Sequence, residues 1–221
     1  MKPPSIMLIA GETSGDTLAA ELAVSLRRQL TSTDTVYTRD SQPLRTGLEP
    51  HFFGAGGPHM RAAGVELAFD LTQHSVIGVS DVLKNYLKFR RLFHQLLKVA
   101  IERQPEVIIG VDYGGFNLRF GQAIKRHART HRGAFSNWNP RLVQFVSPQV
   151  WASRAGRAYQ LERDYDLLLS IFPFEQDWYA QKTPGVRVEF VGHPMVGRFQ
   201  SSKFQAPSST RQGDSTLLLL L

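Results

Sequence analysis

Hydrophobic residues recur along the chain with two different spacings. Short, nearly solid apolar runs, Ser5–Ala10, His51–Gly54, Glu106–Val111, Arg141–Val146, Leu167–Ile171 and Val186–Val191, have the length of strands. Between them lie stretches whose apolar positions return every three or four residues: Thr17–Leu30, Pro58–Ala63, Asp81–Arg103, Asn117–Thr130, Trp151–Arg163 and Glu175–Gln181. The clearest is Asp81–Arg103, where Leu83, Tyr86, Leu87, Phe89, Phe93, Leu96, Leu97 and Ala100 form one stripe opposite Lys84, Lys88, Arg91 and Lys98. Pro105 prevents that helix from continuing. Strand and helix in alternation predict an α/β fold, a Rossmann-like doubly wound and mostly parallel sheet. The polar stretch Thr31–Pro50 reads as a mobile surface loop.

Such a sheet keeps its working loops at the carboxyl ends of the strands. Here those loops are Gly11–Asp16, Asp112–Asn117, Ser147–Trp151, Pro173–Glu175 and Gly192–Met195, and one crevice between them is the expected site. The chain's last residues break the pattern. Gln200–Ser215 has the Ser, Gln, Pro and Gly content of a linker, and Thr216–Leu221 begins a new apolar strand. The expected organisation is one domain over 1–199, a linker over 200–215, and the first strand of an absent second domain over 216–221.

Composition narrows the class. With 42% hydrophobic and 20% charged residues in 221, the chain can fill a folded core. It has no cysteine, which removes disulfides and thiolate chemistry and fits a reducing compartment. No apolar run approaches the roughly 20 residues that span a bilayer, and Ile6–Ala10 is too short for a signal-peptide core, so the chain reads as cytoplasmic. A net charge of +7 calls for an anionic partner. No acidic residue lies between Asp112 and Glu162, whereas Arg119, Lys125, Arg126, Arg129, Arg132, Arg141, Arg154 and Arg157 do. The chain lacks helix-turn-helix, zinc-finger and RNA-binding aromatic signatures, so nucleic acid is not expected as the partner.

Four loops carry candidate chemistry. In Ala10-Gly11-Glu12-Thr13-Ser14-Gly15-Asp16 the glycines allow a tight turn, and Glu12 and Asp16 could bond sugar hydroxyls. Ser14 or Asp16 could equally cap the following helix. Asp112 directly follows a buried strand, where partial desolvation could raise its pKa and suit it to general-base work, or it could be a turn residue. Asn117 could cap a helix or bind a hydroxyl. In Ser147-Pro148-Gln149-Val150-Trp151 the indole offers an apolar face to a sugar or acyl chain, or packs in the core. His193 could bind phosphate, transfer a proton or bond the backbone. No other ligand stands at metal spacing, so no metal site is expected.

Taken in order, the motifs Ala-Gly-Glu-Thr-Ser-Gly-Asp (10–16), Phe-Gly-Ala-Gly-Gly-Pro-His-Met (53–60) and Val-Ile-Gly-Val-Ser-Asp-Val-Leu (76–83) resemble the lipid-A-disaccharide synthases. So do Gly-Val-Asp with Phe-Asn (110–112, 116–117), Val-Ser-Pro-Gln-Val-Trp-Ala (146–152), Phe-Pro-Phe-Glu (172–175) and Val-Gly-His-Pro (191–194). The resemblance implies the N-terminal, acceptor-side domain of a GT-B glycosyltransferase. Such an enzyme joins UDP-2,3-diacylglucosamine to 2,3-diacylglucosamine 1-phosphate, forming the β-1,6-linked lipid A precursor and UDP, with no cofactor beyond the sugar nucleotide. It implies Asp112 as the base toward the acceptor hydroxyl, and Gly11, Glu12, Ser14, Gly15, Asp16, Asn117, Ser147, Trp151 and His193 as substrate-binding positions.

It further implies work at the inner face of the cytoplasmic membrane of a Gram-negative-type bacterium. There the basic residues could meet anionic lipid or form an ordinary solvated surface, and Val76, Ile77 and Val79 could contact membrane or acyl chains or form a core-facing turn. Oligomerisation is left open. Where the family has Ala-Pro-Asp, this chain has Tyr113-Gly114-Gly115, without the loop's second carboxylate. The family's Leu-Pro-Gly-Ser-Arg segment is expected after a run like Leu217–Leu221 and does not follow it, so no transfer is expected from this chain alone. The competing expectation is a non-catalytic domain that binds a phosphorylated glycolipid.

Overall fold

The computed structural model describes residues 3–31, 49–74, 82–133 and 136–194. The expected loop over Thr31–Pro50 falls mostly outside them, as do Val76, Ile77 and Val79, the linker over 200–215 and the strand over 216–221.

Seven parallel strands form one sheet in the order β3-β2-β1-β4-β5-β6-β7. They are β1 (Ser5–Ala10), β2 (His51–Gly56), β3 (Glu66–Asp70), β4 (Val107–Val111), β5 (Arg141–Phe145), β6 (Leu167–Ser170) and β7 (Val188–Phe190). The helices are α1 (Thr13–Thr31), α2 (Pro58–Ala62), α3 (Val82–Arg103), α4 (Gly114–Thr130), α5 (Val150–Ser153), α6 (Ala158–Asp164) and α7 (Phe174–Lys182). The chain builds outward from β1 through β2 to β3, then returns to place β4 on the other side of β1. The strand order therefore reverses between β1 and β4, where a crevice opens beyond the strand ends.

Alternation of side chains along the strands divides the core into two layers. Met7, Ile9 and Ile108 face one way with Leu96, Ala100, Leu118, Phe120 and Ile124 from α3 and α4. Ile6, Leu8, Ala10, Ile109 and Val111 face the other way, toward Ala19 and Ala23 of α1 and Met60 of α2. Each fully buried aliphatic side chain contributes about 1.5–3 kcal/mol. The pure apolar runs of β1 and β4 are thus explained by burial on both faces.

The structure moves several expected boundaries. Helix α1 begins at Thr13, four residues before the expected Thr17, because only Gly11 and Glu12 are needed to turn the chain; the Asp16 N–H already donates to the Glu12 carbonyl at 2.8 Å. Helix α4 likewise starts at Gly114. The expected helix Trp151–Arg163 is split into α5, a 3-10 turn over Ala155–Arg157 and α6, because Arg154 leaves helical geometry at φ −140°. Leu87, placed on the apolar stripe of α3, is exposed.

Strand β3 has no counterpart in the sequence reading. Its Glu-Leu-Ala-Phe-Asp pattern is short, and as an edge strand it is only partly buried. Strand β2 runs on to Gly56, two residues past the expected end at Gly54. Gly54 explains this: at φ +152° it lies so close to β1 that an added Cβ would stand 1.9 Å from the Leu8 carbonyl oxygen. Gly54→Ala should lower unfolding free energy by about 3 kcal/mol, because the methyl must displace the β1 backbone. Gly115→Ala, which adds a methyl into open space, should stay within about 1 kcal/mol of the parent. Urea unfolding of both variants checks the pair, and equal midpoints would remove the close-approach explanation.

Candidate functional site

Asp112 stands at the end of β4, on the reversal of strand order, in the left-handed region at φ 50°. Tyr113 follows at φ 47°, and Val146 at the end of neighbouring β5 has φ 62°. Left-handed geometry is unfavourable for residues with a Cβ, and more so for a β-branched valine, so surrounding bonds must hold it. They do. The Asp112 N–H donates to the Phe145 carbonyl at 2.9 Å. Its own carbonyl accepts the Asn117 side-chain amide at 2.7 Å and the Gln144 amide at 2.9 Å. The carboxylate itself forms no hydrogen bond with a described residue and is partly exposed.

It faces a cleft of about 250 Å³ lined by Ser14, Thr17, Leu18, Asp112, Val146, Ile171, His193 and Pro194. Three of the candidate residues from separate strand ends, Ser14, Asp112 and His193, thus line one cavity. Glu12 is exposed beside it, and its negative charge adds to burial in holding the Tyr113 phenol above its ordinary pKa. Gly11 lies beneath the Tyr113 ring, where an added Cβ would meet Cδ1 at 2.2 Å. Gly15 packs against the Val111 carbonyl.

The other candidates are placed behind this surface. Asp16, read either as a sugar-hydroxyl ligand or as a cap of the following helix, is itself helical and fully buried. Its carboxylate accepts the N–H groups of Gly57, His59 and Met60 at 2.7, 2.9 and 3.1 Å, and the His59 ring Nδ1 lies 3.0 Å away. These are the unpaired amides at the start of α2, so Asp16 is a cap supplied by another helix. The Gly-Gly-Pro-His-Met segment is the cradle for that carboxylate. Asn117 is buried beneath Asp112, as its amide bond shows. Ser147 is buried and donates to the Tyr179 hydroxyl at 3.2 Å, which donates in turn to the Pro148 carbonyl at 3.3 Å. Burial pushes the Tyr179 pKa up to about 12, so the phenol keeps its proton and remains a donor.

Trp151 does not present a free indole. Its N–H donates to Glu175 at 2.9 Å, and its ring meets Phe174 edge to face with centroids 5.0 Å apart. Glu175 is fully buried, and its second oxygen contacts the Ser170 hydroxyl. That hydroxyl also lies 2.7 Å from the Phe172 carbonyl and accepts the Phe172 N–H at 3.1 Å. A hydroxyl has one proton to give. Ser170 Oγ is placed to donate that proton either to the Glu175 carboxylate or to the Phe172 carbonyl. Burial raises the Glu175 pKa, against smaller opposing effects of the Ser170 and Trp151 bonds. Among the described residues no three His, Asp or Glu side chains converge as a metal site would require.

Residues 6–218 match the lipid-A-disaccharide synthetase family. The chain belongs to that family. It is 34% identical over 215 residues to the lipid-A-disaccharide synthase of Trichlorobacter lovleyi, covering 97% of this chain and 48% of that protein. Identity to the Myxococcus xanthus lipid-A-disaccharide synthase is 36% over 222 residues, 99% of this chain and 50% of the relative. Lipid-A-disaccharide synthase 2 of Legionella pneumophila strain Philadelphia 1 is 34% identical over 196 residues, covering 88% and 43%. The chain therefore spans about half the length of these relatives.

Within this family member, sequence reading missed Gln144, Tyr113 and Val146. Gln144 was the most legible, a fully buried amide among the apolar residues that follow Arg141 in β5. The backbone strain at Tyr113 and Val146 leaves no trace in residue type.

Two substitutions separate scaffold from surface. Asp16→Asn points an amide at three N–H donors and should cost about 3 kcal/mol of stability, read by urea unfolding; an unchanged midpoint would return Asp16 to the ligand surface. Glu175→Gln keeps an acceptor for the Trp151 N–H and removes the ionisable group. Because burial raises the Glu175 pKa on folding, its contribution is complete below the ordinary value of 4.5 and is lost as pH rises through the folded value. The parent's melting temperature should therefore fall more steeply than the variant's as pH rises above 4.5. Parallel curves would mean that the carboxyl is ionised throughout.

Proposed function

We propose that this chain is the acceptor-side half of a lipid-A-disaccharide synthase and that Asp112 is its general base. The acceptor is 2,3-diacylglucosamine 1-phosphate and the donor UDP-2,3-diacylglucosamine, bound chiefly by the part of the relatives that this chain does not span. The acceptor 6-hydroxyl gives its proton to the Asp112 carboxylate as its oxygen bonds to C1 of the donor sugar. The C1–oxygen bond to UDP breaks, and UDP leaves with the bonding electrons. The observation that carries this reading is a carboxylate with no bond to a described residue, facing a cleft, on a backbone fixed by two side-chain amides. A base must have a free lone pair and an oriented position, and Asp112 has both. Ser14 and His193 supply polar contacts on the same cleft.

Association with an anionic membrane surface, at the inner face of the cytoplasmic membrane, is part of the same proposal. It has fewer cations to draw on than the sequence count implies. Lys125 and Arg141 pair with Asp166 at 2.9 Å each, and Arg129 pairs with buried Asp164 at 3.1 Å. These three join α4 and β5 to the end of α6 and the start of β6. No helix among the described residues is long and apolar enough to cross a membrane.

The test is product formation by this chain joined to the second half of a relative. Asp112→Asn should lower turnover by about 10²- to 10⁴-fold while leaving acceptor affinity within about threefold. Full turnover in the variant would exclude Asp112 as the base. An inactive fusion whose N-terminal half still binds the acceptor would favour the glycolipid-binding domain instead.

A further inference from the structure

The Asp112 cleft, at about 250 Å³, falls below the roughly 300–1,000 Å³ usual for pockets that enclose a small-molecule ligand. A sugar carrying two acyl chains and a phosphate outgrows it. A second cavity, about 560 Å³, opens on the neighbouring face of the same loop. Its floor is aromatic, formed by Phe89 and Phe93 of α3, Tyr113, and Phe116 of α4. These rings are locked together: Phe93 meets Phe116 edge to face at 5.4 Å, and Tyr113 stacks on Phe116 at 5.6 Å. Its rim carries Arg90, Arg119, Arg154 and Arg157.

None of these four guanidinium groups forms a hydrogen bond or ion pair with a described residue. Other basic residues of the same segment, Lys125, Arg129 and Arg141, do have carboxylate partners. Among the described residues no carboxylate lines the trough. Four like charges around one opening repel one another, and an anion placed among them relieves that repulsion. Guanidinium suits a phosphate because its fork of N–H groups matches two oxygens at once. An aromatic floor beneath an arginine rim fits an amphiphile whose alkyl chain and anionic head are close together.

We propose that this trough is the subsite for the acceptor's phosphate and one of its acyl chains, an assignment that rests on the acceptor-side reading above. The phosphate lies against Arg154 and Arg157, with Arg119 and Arg90 completing the rim, and the acyl chain covers Phe93 and Phe116. Tyr113 joins the two cavities, since it follows Asp112 directly and its ring covers Gly11. The sugar then spans the loop with its hydroxyl toward the Asp112 carboxylate.

The experiment is calorimetric titration of this chain with dodecyl phosphate, butyl phosphate and dodecyl maltoside below their micelle concentrations. The parent should prefer dodecyl phosphate to either of the others by about tenfold or more. The double variant Arg154→Gln/Arg157→Gln removes no bond within the described protein, so its melting temperature should match the parent's, while its dodecyl phosphate affinity falls by about tenfold or more. Monomeric 2,3-diacylglucosamine 1-phosphate should displace dodecyl phosphate from the parent. Undiminished binding by the double variant would overturn the trough, whatever the chain's activity. Displacement failing although the arginines matter for dodecyl phosphate would keep an anionic-amphiphile site but refute the acceptor as its occupant, while the acceptor-side reading stands or falls on the fusion assay above. A variant weakened only toward phosphatidylglycerol vesicles, with acceptor binding intact, would reassign the arginines to the membrane surface and overturn the proposal.

Discussion

The main-chain carbonyl of Asp112 accepts two side-chain amides, one from Asn117 in α4 and one from Gln144 in β5, at the place where the strand order of the sheet reverses. Without them the left-handed backbone at Asp112 and Tyr113 would relax toward commoner geometry. The carboxylate would then turn from the cleft and the Tyr113 ring would leave Gly11. Both amides are buried, so their other hydrogen-bonding atoms cannot turn to water and the arrangement has few alternatives. Position at the strand end, orientation of the carboxylate and the wall between the two cavities all depend on this one carbonyl.

The remaining motifs serve one another in pairs. The aspartate that closes the first loop motif caps the helix that begins in the second, binding α1 to the segment after β2. The tryptophan after β5 is bonded to the glutamate after β6, and the serine of the first of those loops to a tyrosine of α7. The cleft is thus lined by few of the candidate residues, and these are supported by a larger number whose side chains are bonded to neighbouring loops. Such support is what a catalytic group requires, since a carboxylate displaced by an ångström loses most of its use as a base.

Charge shows a similar division. Arginine and lysine in the long segment without acids look like one uniform basic surface, yet the fold sorts them. Those on the side of α4 facing the end of α6 and the start of β6 meet Asp164 and Asp166, whose carboxylates are provided by residues 35 and 41 positions distant in the chain. Arg119, Arg154 and Arg157 line a trough together with aromatic rings. The first group holds helix to sheet, and the second is left open to an outside anion.

The α/β alternation was legible in the sequence, because a parallel strand covered on both faces must be apolar throughout and its helices must carry a stripe. Asp112 was legible for a related reason: an acid immediately after such a strand can lie only at the sheet's carboxyl edge. Family membership was carried by the order of the motifs. Sequence reading could not separate Asp16, Asn117, Ser147 and Trp151 from Ser14 and His193, since all are polar or aromatic residues in strand-end loops. For Asp16, Ser147 and Trp151, whether the side chain points at a ligand or at a neighbouring loop depends on contacts between residues 24 to 44 positions apart. Periodicity reports only on neighbours a few positions apart, so these contacts, the edge strand β3, the strained backbone at Val146 and the sorting of the arginines were decided by the tertiary structure alone.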